Sequence, residues 1–237
     1  MKTTLAFETS TATTSIALLG ADGLKVEKVT SGHNHCEQLL PLTQELLADS
    51  SMKLSDIDRI AVGHGPGSFT GLRIGLATAK GICLATSLPL YSVSSLAALA
   101  KTYSNSPEAT PNILITTADA RRGEIFAGYF EQHTNGDLLP LQDEEVISPE
   151  KLVDRISQFE KPYLLVGEGV LAYPTLGENL STDEQQLSPS AIAVAELALK
   201  MSSPSDLTLA APRYARAAAA EVKFPKGNPG GAFAPSS

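Results

Sequence analysis

A glycine-rich stretch between a strand and a helix constrains the fold of this chain more than any other feature. It reads Gly65-Pro66-Gly67-Ser68-Phe69-Thr70-Gly71-Leu72-Arg73-Ile74-Gly75. The apolar run at 59–63 predicts a buried strand before it, and the pattern at 72–87 predicts a helix after it. Ser68 or Thr70 is positioned to cap that helix by accepting from its free N–H groups. Such a turn suits either anion binding or a purely structural role, and it lacks the G-x-x-x-x-G-K-[ST] and G-x-G-x-x-G fingerprints.

Small residues recur at every fourth position of the predicted helix at 72–87. They form two rows, Gly75-Ala79-Cys83 and Ala77-Gly81-Ala85. Small side chains flatten a helix face, so a second helix can approach it closely. The pattern is typical both of a helix in the chain's own core and of a helix at an interface with another protein.

Composition indicates an ordinary soluble protein of 237 residues, with 43% hydrophobic and 19% charged residues. We expect no membrane span, because no apolar run approaches the necessary ~18 residues. The acidic residue Glu8 lies too near the start of the chain for a signal peptide. The two cysteines, Cys36 and Cys83, show no spacing typical of disulfides, which favours the reducing cytoplasm. The 18 basic and 26 acidic residues give a net charge of −8, which argues against independent nucleic-acid binding. A role beside a partner that holds RNA stays open.

The remaining pattern predicts two similar α/β halves, each opening with a hairpin whose first strand ends at an acid, Glu8 or Asp119. The Ser-, Pro- and Asn-rich segment 105–111 predicts the boundary between them. We therefore expect an N-terminal lobe at 1–104, a C-terminal lobe at 105–216 and a largely disordered Gly- and Pro-rich tail at 217–237. Strands are predicted at 4–9, 13–19, 24–30, 59–63, 88–93, 112–118, 125–130 and 162–166. Helices are predicted at 35–49, 72–87, 149–158 and 188–201.

Several motifs resemble those of the bacterial TsaB (YeaZ) family over about residues 2–216. They are Glu8-Thr9-Ser10-Thr11, the stretch 33–41, the loop 65–75, Asp119-Ala120-Arg121-Arg122-Gly123-Glu124 and Pro212-Arg213-Tyr214-Ala215-Arg216. The resemblance implies the duplicated α/β fold of the actin, sugar-kinase and Hsp70 superfamily (ASKHA), with a mixed sheet and helices in each lobe. It also implies a noncatalytic subunit that supports TsaD in making N6-threonylcarbamoyladenosine (t6A) on tRNAs reading ANN codons.

The family resemblance also implies the partners and the location of the chemistry. It places ATP and metal chemistry in TsaD, with tRNA contacted only through TsaD. It implies a homodimer when the chain is free, and a larger complex that includes TsaE. Family members usually continue past the tyrosine motif with a polar segment, whereas this chain has an alanine run at 217–220. The contacts that the usual segment makes are therefore in question here.

The first hairpin predicts at most a vestigial phosphate site. Nucleotide-binding relatives carry an aspartate where this chain has Glu8, whose longer side chain would displace a metal–phosphate group. The hydroxyls of Thr9, Ser10 and Thr11 could still contact phosphate, and a hydrogen-bonded turn is the alternative. We expect no cofactor, no metal site and no catalytic residue. His33 and His35 lie two positions apart, which suits a helix-entry loop better than a metal site.

The predicted helices at 35–49 and 72–87 indicate a partner surface, a two-helix half of a four-helix interface with TsaD or a second copy. Burial of both helices under the chain's own sheet is the alternative. We assign to this surface Leu39, Leu40, Thr43, Leu46, Leu47, Leu72, Arg73, Gly75, Leu76, Ala79, Lys80 and Cys83. Two other functions stay open: a peptidase-like protein, disfavoured because no nucleophile and base converge, and a small-molecule kinase of the same fold.

Overall fold

The computed structural model describes residues 2–20, 23–32, 35–106, 113–134, 136–176 and 188–214. The strands are β1 (Thr4–Glu8), β2 (Thr13–Leu19), β3 (Lys25–Ser31), β4 (Arg59–Gly63), β5 (Leu90–Val93), β6 (Ile113–Arg121), β7 (Glu124–Gln132), β8 (Leu138–Ile147) and β9 (Tyr163–Val166). The helices are α1 (His35–Asp49), α2 (Phe69–Thr86), α3 (Ser95–Ser104), α4 (Pro149–Ile156), α5 (Glu168–Ala172) and α6 (Ala191–Lys200). None of the described helices is long and apolar enough to cross a membrane.

The first sheet has the strand order β3-β2-β1-β4-β5. Its central strand β1 pairs antiparallel with β2 and parallel with β4, so that Ala6 lies between Ala17 and Ala61. Because side chains alternate along a strand, Leu5 and Phe7 face the opposite side. That side packs against α1 and α2, whereas the alanine side packs against α6. The small alanine side chains allow α6 to lie close to the sheet.

The second sheet has the strand order β8-β7-β6-β9 and also carries helices on both faces. Leu114 and Phe130 pack against α3 on one face, whereas Ile115 and Tyr129 pack with α4 and α5 on the other. Helices α3 and α6 contact each other between the two sheets. The result is five layers, in which α3 and α6 form the shared middle layer. This arrangement confirms the predicted α/β architecture of two mixed sheets with helices.

All the predicted helices and strands are present, with shifted ends. Helix α2 begins at Phe69, three residues before its predicted start, because Ser68 caps it by accepting from the Gly71 N–H at 3.2 Å. Three elements were not predicted: α3, β8 and α5. Strand β8 lies at the sheet edge with mostly exposed side chains and contains Pro140, so it lacks the apolar alternation of a half-buried strand.

Helix α6 follows the second sheet in the chain but packs on the first. Its side chains at 191, 193, 194, 195 and 198 are fully buried there. The predicted boundary at 105 falls between α3 and β6, yet the segment 188–214 makes its main contacts with the first sheet and its helices. Packing therefore does not follow the single cut expected from the sequence. The predicted tail at 217–237 lies outside the described residues.

Candidate functional site

The glycines of the 65–75 loop bring it against the turn of the first hairpin. A Cβ atom on Gly71 would overlap the Thr9 carbonyl oxygen, and one on Gly75 would overlap the Thr9 hydroxyl. At Gly67, where φ is 155°, a Cβ would overlap the Ser10 carbonyl oxygen. Glycine is required at these positions because no other residue permits so close an approach. The loop was expected either to bind an anion or to have a purely structural role, and this geometry is that of a structural turn.

Hydrogen bonds join the same hairpin and loop. The Ser68 N–H donates to the Ser10 carbonyl oxygen at 2.6 Å, and the Thr9 hydroxyl donates to the Gly71 carbonyl oxygen at 2.8 Å. Thr9 is fully buried, and Ser10 is 4% exposed. Thr11 accepts from the Thr13 N–H at 3.2 Å through its hydroxyl oxygen. The groups expected to contact phosphate are thus bonded within the chain, as in the alternative of a hydrogen-bonded turn.

Glu8 is buried where the hairpin, the glycine loop and α3 meet. Its carboxylate accepts from the Ser10 N–H at 2.7 Å and from the Ser95 hydroxyl at 2.9 Å. The Ser95 hydroxyl accepts in turn from the Gly65 N–H at 3.2 Å. Burial raises the pKa of Glu8 above its ordinary value, although these hydrogen bonds oppose the rise. A Cβ on Gly63 would collide with this carboxylate, so Gly63 is also part of the arrangement.

A cleft opens between the two sheets beside this cluster. Its walls come from both halves of the chain and expose mainly apolar surface, to which α3 contributes leucine side chains. It is lined by Ser10, Thr11, Pro66, Ser95, Leu96, Leu99, Thr117, Ala118, Glu168 and Pro189. Burial raises the pKa of the carboxyl group of Glu168, the first residue of α5. Glu168 did not stand out in the sequence, because a single acid after a strand carries no distinguishing pattern.

The second hairpin turn presents two adjacent arginines. Arg121 and Arg122 both adopt left-handed backbone conformations, with φ of 65° and 57°. Asp119 stabilises this turn, because its carboxylate accepts from the Arg121 N–H at 2.7 Å and pairs with the Arg121 guanidinium at 3.1 Å. The predicted acidic residue at the end of the first strand of this hairpin is therefore a turn-forming residue, and both arginine side chains remain exposed.

The segment 201–214, which we call the strap, crosses the glycine loop and links it to the second sheet. The Arg213 N–H donates to the His64 carbonyl oxygen at 2.7 Å, and the Arg213 guanidinium pairs with the half-buried carboxylate of Glu144 in β8. Glu144 also accepts from the hydroxyl of Ser94, the N-cap of α3. The strap therefore contacts the backbone of His64, the residue just before the glycine loop. The Pro212–Tyr214 motif is thus an internal connection.

Most of the predicted partner surface lies in the core. The α1 and α2 faces selected for their apolar spacing are those that contact the first sheet, so this part of the prediction is wrong. The side chains buried there, or for glycine the backbone, belong to Leu39, Thr43, Leu46, Leu72, Gly75, Leu76, Ala79 and Cys83. Leu47 packs partly against the same core. Lys80 donates to the Ala210 carbonyl oxygen at 3.0 Å, whereas Leu40 remains 54% exposed.

The opposite face of α2 is the exposed one. Its side chains recur at a spacing of three or four and form what we call the outer α2 stripe: Phe69, Arg73, Ala77, Gly81 and Leu84. The Arg73 guanidinium lies 3.8 Å from the centre of the Phe69 ring, and its Nε donates to the hydroxyl of Tyr214 at 2.8 Å. Leu84 is 73% exposed, and a Cβ on Gly81 would meet nothing within 4 Å. The second row of small residues, not the first, therefore faces outward.

Metal ligands do not cluster in the part of the chain that the structure describes. No three His, Cys, Asp or Glu residues come together there in a way that could hold an ion. His33 lies outside the described residues, and the side chain of His35 is likewise not described.

Comparisons with known proteins place the chain in a family. The family model "TsaD: tRNA N6-adenosine threonylcarbamoyltransferase" matches residues 28–230. The chain is 32% identical to the tRNA threonylcarbamoyladenosine biosynthesis protein TsaB of Escherichia coli, with 83% of this chain and 86% of that protein covered. It is 30% identical to the protein of the same name in Bacillus subtilis, over 94% and 97% of the two chains.

Solved structures agree with this assignment. YeaZ from Pseudomonas aeruginosa matches with a TM-score of 0.76 and 29% identity, covering 90% of this chain and all of that one. A second structure, described as an uncharacterized protein with similarity to peptidase YEAZ from Pseudomonas aeruginosa, matches with a TM-score of 0.77, 28% identity and coverage of 91% and 100%. The two mixed sheets with their shared helical layer are the predicted ASKHA fold. The chain belongs to the TsaB (YeaZ) family.

Proposed function

We propose that this chain is a noncatalytic subunit of the machinery that makes t6A in tRNA, and that it acts by binding TsaD. Its relatives from Escherichia coli and Bacillus subtilis are named for t6A biosynthesis. In this proposal ATP, metal and tRNA are handled by TsaD in the cytoplasm, and TsaE joins a larger complex. The matching family model is named for a transferase, so the noncatalytic assignment needs its own support.

The first hairpin carries the noncatalytic part of the proposal. A hairpin that grips phosphate must present unpaired N–H and hydroxyl groups to its ligand. Here the Thr9 hydroxyl donates to a carbonyl oxygen of the chain, and the Ser10 N–H donates to Glu8 at the end of β1. The carboxylate of Glu8 is itself buried and also accepts from a serine hydroxyl. Opening this hairpin would break several buried hydrogen bonds at once, each costing about 1 kcal/mol or more. The hairpin groups that would have to bind phosphate for catalysis in this fold are thus already hydrogen-bonded to other atoms of the chain.

The outer α2 stripe supports the partner role. Ala77 and Gly81 are exposed and small, so a partner helix can approach this face closely, and Leu84 adds an exposed apolar side chain. Leu40 on the neighbouring helix α1 adds a second exposed leucine. We assign this face to the contact with TsaD, and in the free protein to a competing contact with a second copy.

Complex formation tests the assignment. The double substitution Ala77→Glu with Leu84→Asp places two carboxylates on the stripe without touching the core. We expect wild type and its cognate TsaD to elute as a 1:1 complex in size-exclusion chromatography with light scattering. The double variant should bind at least about tenfold more weakly, because the charges lose their hydration on docking. The loss of complex should be matched by a loss of t6A synthesis in the reconstituted system.

The matched control is Leu139→Asp, since Leu139 is 50% exposed on the edge strand β8 of the other sheet. This variant should bind TsaD as wild type does. Equal binding by the stripe variant and wild type would move the partner surface elsewhere. Substitutions at Leu39 or Ala79 are unsuitable probes, because both side chains are buried and their replacement would unfold the protein.

Activity of the isolated chain tests the noncatalytic assignment separately. We expect no ATP hydrolysis and no threonylcarbamoyl transfer without TsaD. Transfer by the chain alone would instead favour the activity for which the family model is named. ATP turnover with a small-molecule acceptor would favour a kinase.

A further inference from the structure

Arg73, in the outer α2 stripe, is an exposed cation whose position is set by two aromatic side chains. Its guanidinium carbon lies 3.8 Å from the centre of the Phe69 ring and 5.6 Å from the centre of the Tyr214 ring. The two ring centres are themselves 4.9 Å apart. The Nε of Arg73 donates to the Tyr214 hydroxyl at 2.8 Å, which fixes the orientation of the guanidinium plane. Stacking and this hydrogen bond together hold a long side chain in one place.

The terminal nitrogens of Arg73 are the donors that this arrangement leaves for another molecule. The Nε is engaged by Tyr214, whereas the two terminal nitrogens make no hydrogen bond or ion pair with the residues that the structure describes. A carboxylate is the group that binds two parallel guanidinium donors at once. Because the side chain is already ordered, it loses little conformational freedom when such a pair forms. The outer α2 stripe therefore presents a preformed donor pair suited to a carboxylate.

A second copy of the same face would not supply that carboxylate. Helix α2 contains no acidic residue, and its charged side chains are Arg73 and Lys80. On the neighbouring helix α1, Glu45 and Asp49 both pair with Lys28. A symmetric dimer brings the same patch of both copies together, so each Arg73 would face another positive helix. The charges on this face therefore favour a different chain over a second copy.

We infer that Arg73 binds a carboxylate on a helix of the partner and thereby selects that partner over a second copy. The inference rests on the proposed function, because it uses the same stripe, and it adds the chemistry of the group that is recognised. The small side of the stripe at Ala77 and Gly81 lets the partner helix come close, and an Asp or Glu on that helix pairs with the guanidinium.

Binding to cognate TsaD at several salt concentrations tests the charge pair. Arg73→Gln should weaken the complex about five- to tenfold at about 50 mM NaCl, mainly through slower association, and its affinity should approach that of wild type near 1 M NaCl. Arg73→Lys should lie between the two, because lysine keeps the charge but not the planar pair of donors. Lys151→Gln is the matched control, since it removes one exposed cation from α4 on the other sheet and should bind as wild type does.

The outcomes separate this inference from the proposed function. A wild-type chain that does not bind TsaD would overturn both. Wild-type binding that Arg73→Gln reproduces at every salt concentration would overturn the inference alone, as would equal binding by Arg73→Lys and wild type.

Carbodiimide cross-linking of the Arg73→Lys complex identifies the recognised group. The reagent joins a carboxylate to a lysine amine in contact with it as an amide, and one carboxylate oxygen leaves with the reagent as a urea. We expect mass spectrometry to find position 73 joined to an Asp or Glu of TsaD, and Lys151 not joined to TsaD. A cross-link from position 73 to a second copy, or an intact complex without a cross-link at position 73, would overturn the inference.

Discussion

The burial of Glu8 decides whether the first hairpin can bind a ligand or only stabilises the fold. A carboxylate at this place could hold a metal–phosphate group if it were open to the cleft. Here it is 1% exposed and accepts hydrogen bonds from Ser10 and Ser95, so its charge is directed into the protein. Burial without a cation makes ionisation unfavourable, which is why the pKa of Glu8 is raised.

Glu8→Gln should therefore change how stability depends on pH. Folding raises the pKa of this acid, so the folded protein holds the proton more tightly than the unfolded chain does. The stability that this group contributes is present at low pH and is lost as pH rises from 4.5 through the folded pKa. Glutamine does not titrate and keeps one acceptor oxygen, so the stability of the variant relative to wild type should rise across that range.

Urea unfolding at several pH values measures this difference. Glu160→Gln, at an exposed position, should follow wild type at every pH. A stability of Glu8→Gln relative to wild type that stays constant with pH, or that falls as pH rises, would contradict the buried, raised-pKa carboxyl group.

Helix α2 has small residues on both of its sides, but those on the inner side contact the first hairpin and those on the outer side face solvent. On the inner side, Gly71 and Gly75 admit the turn of the first hairpin, so that the backbone of Thr9 touches the helix. On the outer side, Gly81 borders solvent and has no neighbour. Both rows have the same spacing in the sequence, yet we expect folding to require small residues only in the inner row.

The pair Gly71→Ala and Gly81→Ala tests this difference within one helix. Gly71→Ala should reduce the free energy of unfolding by about 2–4 kcal/mol, because the new methyl group overlaps the Thr9 carbonyl oxygen. Gly81→Ala should increase it by about 0.5–1 kcal/mol, because alanine restricts the unfolded chain and favours helix. Urea titrations of both variants measure the two effects, and equal values would refute the assigned faces.

The two sheets are connected mainly by segments near the C-terminal end of the described chain, α6 and the strap. Helix α6 covers the alanine face of the first sheet, and α3 connects α6 to the second sheet. The strap then returns across His64 and pairs Arg213 with Glu144 in β8. The two sheets therefore share a helical layer and a surface connection, so we expect the two lobes indicated by the sequence to unfold as one unit.

Truncation tests this connection at the scale of the chain. A chain ending at residue 187 lacks α6 and the strap, which exposes the alanine face of the first sheet, and we expect it to lose cooperative thermal unfolding by circular dichroism. A chain ending at residue 216 keeps both and lacks only the tail predicted to be disordered, so its Tm should match wild type. A cooperative transition in the shorter chain would show that the first sheet does not need α6.

Local patterns in the sequence predict much of this fold, because strand alternation, helix periodicity and glycine-rich turns act over a few residues. The strands 59–63 and 13–19 and the helix at 35–49 follow from such patterns. Two of the three missed elements lack a strong pattern: β8 is an exposed edge strand, and α5 spans only five residues. The family motifs, including the G-P-G-S-F-T-G-L-R-I-G segment, also identified the family correctly.

The orientation of equivalent faces could not be read from the sequence, since an apolar row on a helix fits a core and an interface equally well. Packing of α1 and α2 on the first sheet buried Leu39 and Ala79 and turned Ala77 and Gly81 outward. The environment of Glu8 likewise arises only when the first hairpin, the glycine loop and α3, distant in the chain, come together around it. Periodicity is a property of neighbouring residues, whereas burial and charge environment depend on contacts between segments far apart in the chain.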